Sequence, residues 1–565
     1  MEIVNTIKPE TLGSSFVEKG FSTSDTALRD EIVLIAERYS NELISLRKKE
    51  SVINVDEIAS GVAKFYEKVR KIIDWKDDNA LRRGATERIL KRILFPNMVG
   101  FSSKGHDTKE LAQTITEELV RGGHLPNHEI PQSRVDIVSV ALQKYLFFLD
   151  HIYSSSGIID VKKKNDLSTF VIEIAACEME EILTRPVKEY GVMNAMTKIL
   201  EERIKITPEG AINKNEKRDF IRISVQRRLY HLDDNYVTYL YLKIKYPQFQ
   251  NPSQEEMKWF ADNIISIKEG SHEYINNKII KEFEGIADQV STVFMLLDDV
   301  FESLKDNPEG IKEAIEDRGR FQSLLTDAYD KRHATLKTRL KNSAIFSTLS
   351  VFVSNFATFY LIEVPVARLF YEEFNTLATI VDFILPTLVM FLLVIFIKAP
   401  DEDNIEKVLD VTINLLHKDQ EYDTYEINIE EKKLSFGRIL INIVYAISTI
   451  LTLVGIGFVF YIAKLPMTSV IYDTFTITLT IYAAVIVRKE SKELYVGDDR
   501  NFQDFLFDMI TVPIAKVGQL LSRKWKEYNV VAIATNFLIE VPLVTMLDFI
   551  EDWGKFIRER KSELR

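Results

Sequence analysis

Between Asn342 and Lys398 the chain reads NSAIFSTLSVFVSNFATFYLIEVPVARLFYEEFNTLATIVDFILPTLVMFLLVIFIK, two long apolar runs joined by a short polar elbow. Each run is about 20 residues, the length at which an α-helix crosses the hydrocarbon of a bilayer. The elbow, with Glu363, Pro365, Arg368, Glu372 and Glu373, is too short for a domain, so the pair reads as a transmembrane hairpin. A second pair of runs spans Arg438 to Val487, its elbow carrying Lys464 and Pro466. Proline at each outer end suits a helix stop, because it removes a backbone donor and pushes the preceding residue out of helical geometry.

These two hairpins divide the chain. The expected order is a leader (1–23), a helical domain ending in a juxtamembrane helix (24–341), hairpin one (342–398), a connector (399–437), hairpin two (438–488) and an amphipathic tail (489–565). The fold class is all-α: a large helical cytoplasmic domain, a four-helix polytopic membrane region and the tail.

Orientation follows from flanking charge. Lys331, Arg332, Lys337, Arg339 and Lys341 precede the first run, and Arg488, Lys489 and Lys492 follow the fourth, while the elbows offer only Arg368 and Lys464. By the positive-inside rule the elbows face outward, and both termini are cytoplasmic. Met1 to Phe21 has no continuous apolar core, so no secretory signal is expected there. Cys177 is the single cysteine, which rules out an intrachain disulfide and fits a reducing compartment. A formal net charge of −12 argues against nucleic acid as a general partner. The partners expected are the lipid bilayer and a protein partner or second copy.

Upstream of the hairpins, apolar residues recur at helical spacing, with Pro, Gly or Asn at the breaks. Helices are expected at about 56–75, 79–94, 107–121, 134–153 and 166–184. From Ile279 to Leu304 the steps alternate four and three, a heptad seam, although Phe294, Met295, Leu296 and Phe301 widen it into a broad stripe. Both an intermolecular coiled coil and a core helix fit that pattern. The connector has helical spacing over 405–416 and is expected to fold back onto the N-terminal domain.

Two basic faces offer contacts to anionic headgroups: Arg82, Arg83, Arg88, Lys91 and Arg92 on one helix, and Lys516, Arg523 and Lys524 in the tail. The alternative is that these cations pair with the many acids of the domain. A fifth span over 530–550 would bury Glu540 and leave Lys555, Arg558, Arg560 and Lys561 outside, so the tail reads as amphipathic helices on the inner surface.

Inside the spans, Asp382 stands at a depth matching Asn355. A carboxyl in hydrocarbon is costly unless paired or protonated, so the pair is either a hairpin lock or an ion path. Asp298-Asp299 with Glu302, and Asp233-Asp234, are acidic pairs of the kind that hold Mg²⁺ in all-α enzymes, but a matching set of ligands is missing. The chain carries no GxxxxGK[ST], HExxH, GxSxG or GxGxxG, and no catalytic residue, cofactor or metal is assigned. The expected function is a membrane-anchored interaction or signalling scaffold. The alternatives are a small-ion or proton conductor centred on Asp382, and a membrane-tethered enzyme.

Overall fold

The computed structural model describes residues 29–46, 51–55, 78–94, 107–154, 160–358, 360, 365, 376–395, 397–401, 403–417, 424–429, 436–462, 467–496, 508, 511–521 and 553. The fold is all-α, with one short pair of strands among the described residues. The helix expected at 56–75 lies outside these residues, as do the leader and most of the tail.

The body is a bundle of α1 (Asp30–Leu46), α2 (Asp78–Leu94), α3 (Thr108–Arg121), α4 (Gln132–Ser154), α5 (Val161–Thr184), α6 (Val187–Arg203), α7 (Lys214–Leu229), α8 (Asp234–Lys245), α9 (Gln254–Asp262), α10 (Ile264–Ile275), α11 (Ile280–Ser303) and α12 (Ile311–Glu316). Local chemistry sets several helix starts. Asp107 accepts the Lys109 N–H at α3, and Asn213 with Glu216 and Ser253 with Glu256 close capping boxes at α7 and α9. These side chains satisfy amides that the first turn leaves unpaired, each such cap being worth about 1 kcal/mol.

The body is centred on α11. Phe283, Ile286, Val290, Val293, Leu297 and Val300, the heptad positions, are all buried, but so are Phe294, Leu296 and Phe301. A seam would leave those last three exposed. Instead α11 is covered by α7, α6 and two helices further along the chain, at 318–358 and 404–416, so the broad stripe decides its role and the seam is spent within the chain. The coiled-coil expectation is corrected accordingly.

Next comes α13 (Arg318–Thr358), a single helix of 41 residues. It crosses the expected domain border at 341 without a break, since no Pro or Gly occurs between Gly319 and Pro365. At about 1.5 Å per residue it is roughly 60 Å long. Its first half buries Phe321, Leu325, Tyr329, Leu336 and Leu340 in the body, while its second half exposes Ile345, Phe346, Leu349, Phe352, Val353 and Phe356. Alongside the second half lie α14 (Thr376–Ile395) and α17 (Met467–Ser491), with α16 (Phe436–Ile462) against α17. Met390, Val394 and Ala484 form one small buried cluster there, with Ala344 and Val351 of α13 packed on it. Among the described residues no helix is long and apolar enough to cross a membrane. The four expected spans are therefore not established by the fold.

The connector does return to the body. α15 (Asn404–Leu416) buries Val408, Leu415 and Leu416 in the body core, and the Arg29 N–H donates to the Leu416 carbonyl at 3.0 Å. Beyond it, β2 (Tyr425–Asn428) pairs in parallel with β1 (Ile204–Thr207), Ile204 opposite Tyr425. A second joint forms where α17 ends. Arg332 of α13 spans Asp299 of α11 (Nη2–Oδ1 3.0 Å) and Glu493 (Nη1–Oε1 2.6 Å), and Arg339 also reaches Glu493 at 2.9 Å. Thr292 donates to the Glu493 carbonyl and Asn404 to the Leu494 carbonyl, both at 2.9 Å. The body thus holds the connector at one joint and the end of α17 at the other.

Candidate functional site

The site is a cleft of about 180 Å³ in the body, far from the apolar helices in sequence. α1 supplies Tyr39 and Glu42, α2 supplies Arg82 and Arg83, and the end of α5 supplies Glu180. Lys188, Glu189 and Tyr190 come from the first turns of α6, Tyr230 and Tyr236 from the α7–α8 junction, and Glu302 from α11.

Two bends shape it, and both are strained. Arg185 ends α5 in left-handed geometry (φ 45°), its N–H returning to the Glu181 carbonyl at 2.9 Å, and Pro186 leads directly into α6. His231, between Tyr230 and Leu232, has φ 48°. Such conformations cost non-glycine residues energy that surrounding structure must supply, and they concentrate at functional sites.

One end is cationic. Arg83 is almost fully buried, with Nη2 2.9 Å from Asp233 and Nη1 3.3 Å from Glu180. Its guanidinium sits 4.8 Å from the Tyr236 ring centre, the geometry of a cation–π contact. Arg82 reaches the other Glu180 oxygen at 3.0 Å. The Tyr236 and Tyr190 hydroxyls meet at 3.0 Å.

The other end gathers carboxylates around one ammonium. Lys188 Nζ lies 3.0 Å from Asp298, 3.2 Å from Glu302 and 4.0 Å from Glu189. Tyr230 donates to Asp298 at 2.8 Å and Tyr39 to Glu302 at 3.5 Å. Burial alone would lower the Lys188 pKa, but Asp298, Glu189 and Glu302 outweigh it and hold the group above its ordinary value. Burial and then Glu302 push the Tyr39 phenol up to about 12. At neutral pH the cleft therefore presents a protonated lysine and neutral phenols. Burial also raises the carboxyls of Glu180 and Glu189, against the opposing pull of Arg83 and Lys188 respectively.

The sequence-derived candidates fall in several places. Arg82 and Arg83 line this cleft, with acids of the same domain as partners. Lys91 pairs with Glu87, and Arg92 with Glu118. Arg88 is half-buried on the same helix. The pairing alternative thus describes this face better than a headgroup face does. The acidic pairs meet protein cations too: Asp298 and Glu302 take Lys188, Asp299 takes Arg332, and Asp234 takes Arg227.

Lys516 is exposed, on a segment whose Ile514 is fully buried against Ile477 and Ile481 of α17. A Cβ on Gly518 would come within 2.7 Å of the Thr478 carbonyl, so only glycine lets this segment lie so close to α17. Residues 511–521 therefore pack among the apolar helices, not apart from them. Pro365 is exposed. Arg523, Lys524, Glu363, Pro466 and the side chains of Asp382 and Asn355 lie outside the described residues, so the polar pair is not placed. The cleft itself has no sequence motif; its nearest signal is the Asp298, Asp299, Glu302 run on the core helix. No family model, no curated protein and no solved structure matches the chain.

Proposed function

We propose that this protein is a membrane-anchored interaction or signalling scaffold, its helical body held at the cytoplasmic face of a bilayer by α13, α14, α16 and α17. One observation carries the reading: apolar side chains are exposed in ordered stripes on these helices. On α16, Ile443, Ile447, Ile450, Leu451, Val454, Phe458 and Ile462 each stand 49–65 % exposed, at steps of three and four. α14 adds Ile384, Leu388, Phe391, Leu392 and Ile395. Burying apolar surface is worth about 25 cal/mol per Å², so a set this size is costly in water and natural against lipid.

The hydroxyls fit the same setting. Thr452, Thr474, Thr478 and Thr480 each donate to the carbonyl four residues back, satisfying the group within its own helix, as an apolar solvent requires. Because α13 is continuous from body to apolar half, any partner engaged by the body would be fixed to the anchor through one stiff element.

The test is extraction. Membranes from expressing cells are washed with alkaline carbonate and then with a mild detergent. The protein should stay in the pellet through carbonate and be released only by detergent. Release by carbonate alone would make the apolar stripes a protein-binding surface and remove the anchor.

A further inference from the structure

We propose that the cleft between α1, α2, α5, α6 and α11 binds a small amphoteric molecule bearing one primary ammonium and one carboxylate. The inference rests on the cleft alone and is independent of the bilayer reading.

Three features of the cleft point to that class. The first is balance with segregation. The lining carries four cations and four carboxylates, so its field favours neither a net anion nor a net cation. Yet the charges are grouped: Asp298, Glu302 and Glu189 surround Lys188, with Lys305 on the other Glu302 oxygen, while Arg82 and Arg83 share Glu180 and Arg185 holds Glu42. A ligand ammonium beside Glu302 and Glu189 relieves the acid excess at one end. A ligand carboxylate beside Arg82 and Arg185 meets donors suited to bidentate recognition at the other.

The second feature is the walls. Four tyrosines line the cleft, presenting ring faces for an apolar body and for cation–π contact with an ammonium. The third is size. An apolar cavity of about 150 Å³ takes benzene, so the 180 Å³ here seats one six-membered ring, with the charged groups of the ligand reaching the mouth. The side chains of Arg185 and Glu302 are 54 % and 48 % exposed, whereas those of Arg83 and Lys188 are buried.

The experiment uses the full chain purified in detergent and three probes: L-phenylalanine, 3-phenylpropionate (no ammonium) and phenethylamine (no carboxylate). Calorimetric titration should show L-phenylalanine binding at least about tenfold tighter than either single-charge probe. Two variants sit at the exposed mouth and should fold: without the Glu302 carboxylate Lys188 keeps Asp298 and Glu189, and without Arg185 the Glu42 carboxylate keeps Arg134. Glu302→Gln should weaken L-phenylalanine about tenfold while leaving 3-phenylpropionate unchanged, and Arg185→Gln should weaken it while leaving phenethylamine unchanged. Equal binding of either single-charge probe would overturn the proposal in favour of a simple anion or amine site. No binding of any probe at millimolar concentration would overturn it outright.

Discussion

The body and the apolar helices are made of the same material used in opposite ways. Both consist of helices with apolar side chains at steps of three and four. In the body those side chains turn inward, and α11 is buried on nearly every side. On α16 the same residue types at the same spacing turn outward. Polar groups show the reverse contrast. The body takes charge into its interior and pairs it, as at Lys144, whose Nζ lies 2.6 Å from Glu178 with both side chains buried and Tyr145 donating to the same carboxylate. The described parts of the apolar helices hold mainly hydroxyls that close on their own backbone. The difference teaches that periodicity fixes which face is apolar but not whether that face points in or out.

The most damaging test of this contrast is in the body. Lys144→Met leaves the Glu178 carboxylate buried without its cation and should cost about 3–5 kcal/mol, read from denaturant unfolding. Adding Glu178→Leu should recover much of that loss, because removing both charges also removes both desolvation penalties. If the single change costs no more than a surface substitution, the interior is wetter than its packing implies.

The proposed anchor gives the next largest effect. Leu451 is 65 % exposed on α16. Leu451→Lys should cost about 2.5–3.5 kcal/mol of membrane insertion if that face meets hydrocarbon, measured as the inserted fraction in a translocation assay. A face that meets water would instead tolerate it within about 0.5 kcal/mol.

A smaller, pH-dependent effect sharpens the picture of the body. Burial, then the nearby Glu87, raises the Glu173 pKa from 4.5 to about 7, against the opposing pull of Lys91, Lys268 and Asn235. The folded state thus keeps a proton that the unfolded chain releases near pH 4.5. The stability this gives is complete below pH 4.5 and is lost as pH rises to about 7. Glu173→Gln should flatten that slope and stabilise the protein at pH 8 by about 1–2 kcal/mol, discounted for partial exposure. An unchanged slope in thermal melts across pH 4.5–7 would remove Glu173 from the account.

The all-α class, the helix at 107–121 and the return of the connector were legible because local patterns encode them: the break before Asp107 and the 405–416 spacing act within a few residues. The cleft was not, because its partners are remote in sequence. Arg83 meets Asp233 from 150 positions away and Glu180 from 97, so its helix read as a basic face. The Asp298–Asp299 run read as acidic for the same reason, since Lys188 and Arg332 arrive from other helices. β1 and β2 are four residues each and lie on opposite sides of the first apolar pair, a pairing that no local window contains. The border at 341 was placed by composition, whereas α13 passes through it because nothing in its sequence stops a helix.

The central claim is that the body and the connector lie on one side of a bilayer and the two elbows on the other. Single cysteines placed at Glu372, Thr468 and Asp403 test it, with an impermeant maleimide applied to intact cells. The native Cys177 is buried and adds no background. The account predicts labelling at 372 and 468, and protection at 403 until the membrane is opened, since Asp403 is exposed beside α15 on the body side. Labelling at 403 in intact cells, or protection at both elbows with labelling only after lysis, would contradict it.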